Sequence, residues 1–267
     1  MTAQQLKDSL NACLSAMKSK HQEKGYKRFI YDGAVDAAQY VAAPVKVCFL
    51  LKECYVSIAA NKKDRNDIED HKTWLRKGRH PLGYPQGHHW VKYICDPNEE
   101  NDDCTYSLVE NLHEEAPWAK MWNAVAHMAG EILGAEEAGI SPSHAVQHIA
   151  VVNLKKSNGV STSTEKDIIG YAKDDREHLL KELALLAPDI IVCGGTFDLC
   201  KAAHIFPDDL RLICTYKKRS GLRAAWRWGE TIILDTWHPS APGLGYDRFT
   251  SAYRQHADLL RKESGIS

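Results

Sequence analysis

The chain has 267 residues, 44% of them hydrophobic and 26% charged, and a net charge of −1. That is enough apolar material for the core of one large domain, and no apolar run nears the ~20 residues that cross a bilayer. The balanced charge excludes a generally polybasic surface, so any binding of nucleic acid has to use a local basic face. The first residues, MTAQQLKDSLNACLSAMKSKHQEKGYKR, lack a secretory apolar region and read as an amphipathic helix over 3–20, with a second helix expected at 34–42. A cytoplasmic, monomeric protein is the expectation. VKVCFLL (Val45–Leu51) is short, apolar and β-rich, and reads as a buried strand. Residues 61–112 are polar and irregular and read as an insertion of loops and short elements into a single domain spanning 1–267, with residues 1–43 as a helical N-terminal extension. APWAKMWNAVAHMAGEILG has helical spacing and stops at Gly134.

From there the pattern alternates. HIAVVNL (His148–Leu154) reads as a strand, 165–186 as one helix stopped before Pro188, and DIIVCGG (Asp189–Gly195) as a strand ending in glycines. A short helix at 196–204, a further strand at Leu210–Tyr216, a strand at Thr231–Trp237 and a closing helix at 247–263 follow. Alternation of this kind predicts an α/β fold with a parallel sheet covered on both faces. In such sheets the site lies beyond the carboxyl ends of the strands.

Eight cysteines are present and several lie inside apolar runs, where a reduced buried thiol is the ordinary state. No CxxC pair occurs. Cys95 and Cys104 flank an acidic loop, and His80, His88 and His89 lie on a Pro/Gly-rich stretch. Neither group has the spacing of a metal site, so no metal or cofactor is expected. Lys217, Lys218, Arg219, Arg223 and Arg227 form one basic cluster, and Lys155 and Lys156 another. On their own these read as solvated surface.

The four strand ends carry the chemistry. Val45–Leu51 runs into Lys52-Glu53-Cys54-Tyr55. The second strand ends in Asn153-Leu154-Lys155-Lys156, the third in Gly194-Gly195-Thr196, and the fourth in His238-Pro239-Ser240. A carboxylate, a carboxamide and an imidazole would thus share one rim. This succession, with LLAPDIIVCGG and HPS as its most telling parts, resembles the uracil-DNA glycosylase superfamily over about residues 45–56 and 146–262. KECY resembles the first motif of that family but lacks the opening glycine, and Cys54 stands where proline is usual.

The resemblance implies a three-layer α/β/α fold around a central, mainly parallel four-stranded sheet, and a DNA partner. It implies that Glu53 and His238 are catalytic. A carboxylate near the sugar can stabilise a cation-like transition state or position water, and a donor at the base's carbonyl can stabilise the departing anion. Asn153 would read the edge of an extruded base, and Tyr55 would hold it; Trp74, Tyr84 and Trp90 are weaker aromatic candidates. Leu244, with Tyr246 next, would fill the vacated stack, while Ser240, Arg248, Lys155, Gly194 and Gly195 would meet DNA. The substrate is either uracil or another deaminated base, as in repair, or a hypermodified phage base such as glucosylated hydroxymethylcytosine, as in antiphage defence. Two alternatives stay open. One is a member of the superfamily that binds nucleic acid or nucleotide without catalysis. The other is an unrelated hydrolase using Cys54 or Ser240 as nucleophile, although neither lies in a G-x-S-x-G elbow.

Overall fold

A computed structural model describes residues 1–25, 29, 31–55, 120–134, 142–159, 164–216 and 221–239. The insertion at 61–112 and the helix expected at 247–263 lie outside these residues. The described elements are helices α1 (Ala3–Glu23), α2 (Ala37–Ala42), α3 (Lys120–Leu133), α4 (Pro142–Ala145), α5 (Glu165–Asp174), α6 (Arg176–Leu186) and α7 (Phe197–Ala202). The strands are β1 (Gly33–Ala34), β2 (Val47–Tyr55), β3 (Ile149–Gly159), β4 (Ile190–Gly194), β5 (Arg211–Thr215), β6 (Leu222–Trp228) and β7 (Thr231–Thr236). The chain is α/β, and among the described residues no helix is long and apolar enough to cross a membrane.

The seven strands form one mixed sheet in the order β1-β3-β2-β4-β7-β6-β5. Of the five strands read from the sequence, the one expected at Leu210–Tyr216 is β5, and the other four are the consecutive parallel ones, β3-β2-β4-β7. Their continuous apolar runs suit strands covered on both faces. The sheet is nevertheless wider than the four-stranded one that the resemblance implies. Antiparallel β1 adds to one margin, and antiparallel β6 and β5 add to the other. Bulges interrupt the β5–β6 ladder between Leu212 and Cys214, and the β6–β7 ladder between Leu222 and Ala224.

Strand alternation divides the core in two. Val47, Phe49 and Leu51 of β2, with Val151, Val192 and Leu234, meet α3 and α4 on one face. Cys48 and Leu50, with Val152, Cys193 and Ile233, meet α1, α5, α6 and α7 on the other. The N-terminal segment is therefore part of the core. Leu6, Leu10, Leu14 and Met17 recur at helical spacing and are buried in that second cluster. α1 begins at a capping box in which the Gln5 N–H donates to Thr2 Oγ1 and the Thr2 N–H donates to Gln5 Oε1.

Two departures from the expected elements have physical causes. The single helix expected over 165–186 is broken at Asp175, whose φ of −100° and ψ of 8° leave the helical region. The buried Asp175 carboxylate is held 2.5 Å from the buried imidazole of His21 in α1. The second departure concerns β2 and β3, which run four and five residues past their expected ends, into Lys52–Tyr55 and Lys155–Gly159. Burial of Lys155 and Lys156 there is supported by ion pairs, which apolar patterning does not reveal.

Candidate functional site at the strand-end rim

The register sets the height of each residue along the parallel strands. Val152, Leu50, Cys193 and Asp235 form one row across β3, β2, β4 and β7. Asn153, Leu51, Gly194 and Thr236 form the next row, although Leu51 and Gly194 are no longer paired. Counting on, Glu53, Lys155 and His238 each stand three residues beyond the Leu50 row. Glu53 and His238 thus rise from the two strands that flank β4. Strand spacing puts β2 and β7 themselves roughly 10 Å apart across β4. The backbone of Glu53 and Tyr55 belongs to β2, but their side chains lie outside the described structure, as do Ser240, Leu244, Tyr246 and Arg248.

β4 turns aside between these two strands. Gly195 has a φ of +69°, a conformation that L side chains rarely adopt, and its N–H donates to the carbonyls of Thr236 (2.9 Å) and Cys193 (2.8 Å). A Cβ on Gly195 would lie 3.3 Å from both Cβ and N of His238. A Cβ on Gly194 would lie 2.8 Å from Leu51 Cδ2 and 3.1 Å from Pro239 Cδ. The two glycines are therefore the space against which the His238-Pro239 turn is seated. Hydroxyls tie the same ends together: Thr196 donates to the Leu50 carbonyl at 2.8 Å, and Thr236 donates to the Cys193 carbonyl at 3.0 Å. In this arrangement Gly194 and Gly195 position His238.

His238 is partly buried. That burial, with the nearby Lys52 ammonium adding to it, lowers its pKa to about 4. At neutral pH the imidazole is uncharged, with one ring N–H as a donor and the other nitrogen as an acceptor.

Asn153 is buried on β3, and both its main-chain N–H (2.7 Å) and its Nδ2 (3.0 Å) donate to Asp32 Oδ2. The other oxygen of Asp32 pairs with the Lys156 ammonium, which also lies 2.8 Å from Glu182 Oε2 on α6. All four residues are buried. Burial alone would lower the Lys156 pKa, but the facing Asp32 and Glu182 carboxyls outweigh it and raise it above the ordinary lysine value. Burial pushes Glu182 up to about 8, opposed by Lys156 and reinforced by Asp32. Glu182 Oε2 meets the ammonium at ion-pair distance, yet its complete burial remains the larger influence on the carboxyl. The Lys156 ammonium thus stays charged at neutral pH, while burial favours the protonated form of Glu182.

The structure turns Lys155 away from the open solvent that a phosphate-binding role would use. Its ammonium sits 2.7 Å from Asp167 Oδ2 and 4.8 Å from the centre of the Tyr171 ring, and the residue is 7% exposed. Among the described residues, an exposed aromatic at the rim stands outside the residues that the resemblance singles out. Trp237, next to His238, is 46% exposed, and the Arg223 guanidinium lies 5.3 Å from its ring centre. Arg223 comes within 3.4 Å of both Asp198 and Asp235. Burial raises Asp235 to about 6, with Arg223 pulling it down and Asp198 pushing it up. Trp237 had a sequence signal, since it directly precedes the HPS motif. Asp32 had none.

Among the described residues no cluster of His, Cys, Asp and Glu is arranged to hold a metal ion. Cys95, Cys104, His80, His88 and His89 lie outside them. No protein-family model, curated protein or solved structure matches this chain.

Proposed function

We propose that the chain is a DNA glycosylase of the uracil-DNA glycosylase type, which extrudes a deaminated or modified base and hydrolyses its N-glycosidic bond to leave an abasic site. The observation that carries this reading is that Glu53 at the end of β2 and His238, two residues past the end of β7, follow the same end of the two parallel strands that flank β4, with Asn153 on β3 beside β2. Heterolysis of the bond leaves positive charge on the sugar and negative charge on the base. Glu53 acts on the sugar side, stabilising the cation or orienting water. The uncharged His238 donates to the carbonyl oxygen of the leaving base, as a preorganised donor beside developing negative charge. Asn153 pairs with the base edge, and the exposed Trp237 offers a face on which a neighbouring base can stack. On this reading the parallel strands β3-β2-β4-β7 and their helical cover are the family's three-layer core, and β1, β5 and β6 are additions to it. The chain acts in the cytoplasm, as a monomer.

The test is a panel of duplexes carrying uracil, hypoxanthine, xanthine, hydroxymethylcytosine or its glucosides, read by alkali-labile breaks. One of them is expected to be cut. Glu53→Gln and His238→Ala should each lower the rate on it by about 10²–10⁴-fold. Retention of wild-type rates by both folded variants would refute the catalytic assignment. No cleavage of any duplex, with retained DNA binding, would favour the non-catalytic alternative.

A further inference from the structure

We infer that Asp32 is a positioning residue for Asn153, locking the carboxamide in one of its two flip states and so selecting which base edge the site accepts; the selection rests on the glycosylase reading above. Asp32 immediately precedes β1, whose pairing with β3 places Gly33 opposite Val151. The Asp32 side chain therefore reaches Asn153, two residues along β3. Its Oδ2 takes both N–H groups that Asn153 turns toward it.

An ionised carboxylate only accepts hydrogen bonds. If the carboxamide flipped, its oxygen would face Asp32 Oδ2, lone pair against lone pair. The amide nitrogen is thereby fixed on the Asp32 side and the amide oxygen on the opposite side. The other oxygen of Asp32 is ion-paired with the buried Lys156, and Lys156 is braced in turn by Glu182. The brace reaches from α6, through the core, to a side chain at the rim.

The flip state matters because the competing pyrimidine edges are mirror patterns. Uracil presents an N–H donor beside a carbonyl acceptor. Cytosine presents a ring-nitrogen acceptor beside an amine donor. A carboxamide free to flip can pair with either. One that is locked pairs with one and leaves polar groups unsatisfied against the other, which is worth about 10- to 100-fold in affinity.

The experiment has two arms on the full chain. The first follows the side-chain NH₂ signals of Asn153 by ¹⁵N–¹H NMR, assigned with Asn153→Ala. The second measures the binding of free uracil and free cytosine by isothermal titration. In the wild type, one Asn153 amide proton should lie downfield, as expected of a bond to a carboxylate, and one base should be preferred. Asp32→Asn should remove the downfield shift and cut the preference about tenfold or more, and Asp32→Glu should restore part of both. Asp32→Asn also leaves the buried Lys156 ammonium with Glu182 alone. The double variant Asp32→Asn/Lys156→Met removes that cost and keeps the comparison open if the single variant does not fold.

An amide signature that survives in the folded Asp32 variants would overturn the clamp. Loss of stability with an unchanged base preference would reduce Asp32 to a structural group and overturn the selection. A wild type with a pinned amide but no base preference would count against the glycosylase reading and overturn the selection with it, while the NMR arm still upholds the clamp.

Discussion

Replacing Lys156 by methionine removes the cation from a cluster in which Asp32 is 3% exposed and Lys156 and Glu182 are not exposed at all. Breaking such a pair by deleting one partner typically costs about 3–5 kcal/mol. The structure supplies a ceiling. Asp32 can escape its uncompensated charge by taking a proton, which near pH 7 costs about 4 kcal/mol, from roughly 3 units above an ordinary aspartate pKa at ~1.4 kcal/mol each. Glu182 adds less to the loss, because burial already favours its protonated form. The sign with pH follows. In the variant, the folded pKa of Asp32 is raised above its unfolded value, so stability is lost as pH rises through that window. In the wild type, the raised Lys156 pKa keeps its contribution intact until pH passes the unfolded lysine value. The deficit should therefore be near 4 kcal/mol at about pH 7 and shrink by roughly 2.7 kcal/mol at about pH 5. Urea unfolding of both proteins across that range measures it. A deficit under about 1 kcal/mol at neutral pH, or one that does not change with pH, would refute the reasoning.

Three further outcomes are expected. Gly195→Ala should cost about 1–2 kcal/mol for its left-handed backbone and, by pushing His238 through a contact of 3.3 Å, lower the glycosylase rate roughly tenfold or more; chemical denaturation and abasic-site formation measure the two, and an unchanged rate would mean that the turn yields elsewhere. Since the folded pKa of His238 is below its unfolded value, its stabilisation is present above about 6.5 and lost as pH falls toward about 4; NMR titration of the imidazole should find a midpoint near 4, which rises toward 6.5 in Lys52→Met. A midpoint near 6.5 in the wild type would contradict the burial described. Trp237→Ala should leave stability within about 1 kcal/mol, yet weaken binding of a single-stranded oligonucleotide about 5- to 100-fold in a fluorescence-anisotropy titration. The opposite pattern would make Trp237 a packing residue.

The parallel core was legible because burial on both faces leaves unbroken apolar runs, as in Val47–Leu51 and Ile190–Cys193. What escaped is what depends on partners distant in sequence. β6 intersperses charged Arg223 and Arg227 among its small and aromatic residues and passed for a basic surface cluster. β1 is two residues long and has no pattern of its own. The break at Asp175 is tied to a histidine more than 150 residues away in sequence. At the rim, Asn153, Gly194, Gly195 and His238 followed from strand ends alone. The turn of Lys155 toward Asp167, and the hold of Asp32 on Asn153, are ion-pair and hydrogen-bond choices that no local signal announces.

The bulged β5 also bears on how copies of this chain behave in concentrated solution. It is the outermost strand on its side, and its exposed residues include Arg211 and Leu212, the latter 47% exposed. A flat strand at such a margin would invite another chain to pair along it. Here the bulge between Leu212 and Cys214 puts the outward backbone groups out of step, and Arg211 adds a charge that an incoming strand would have to meet. At the other margin β1 offers only two residues, too few to seed a ladder. Among the described residues, both margins of the sheet are poorly suited to stacking copies edge to edge.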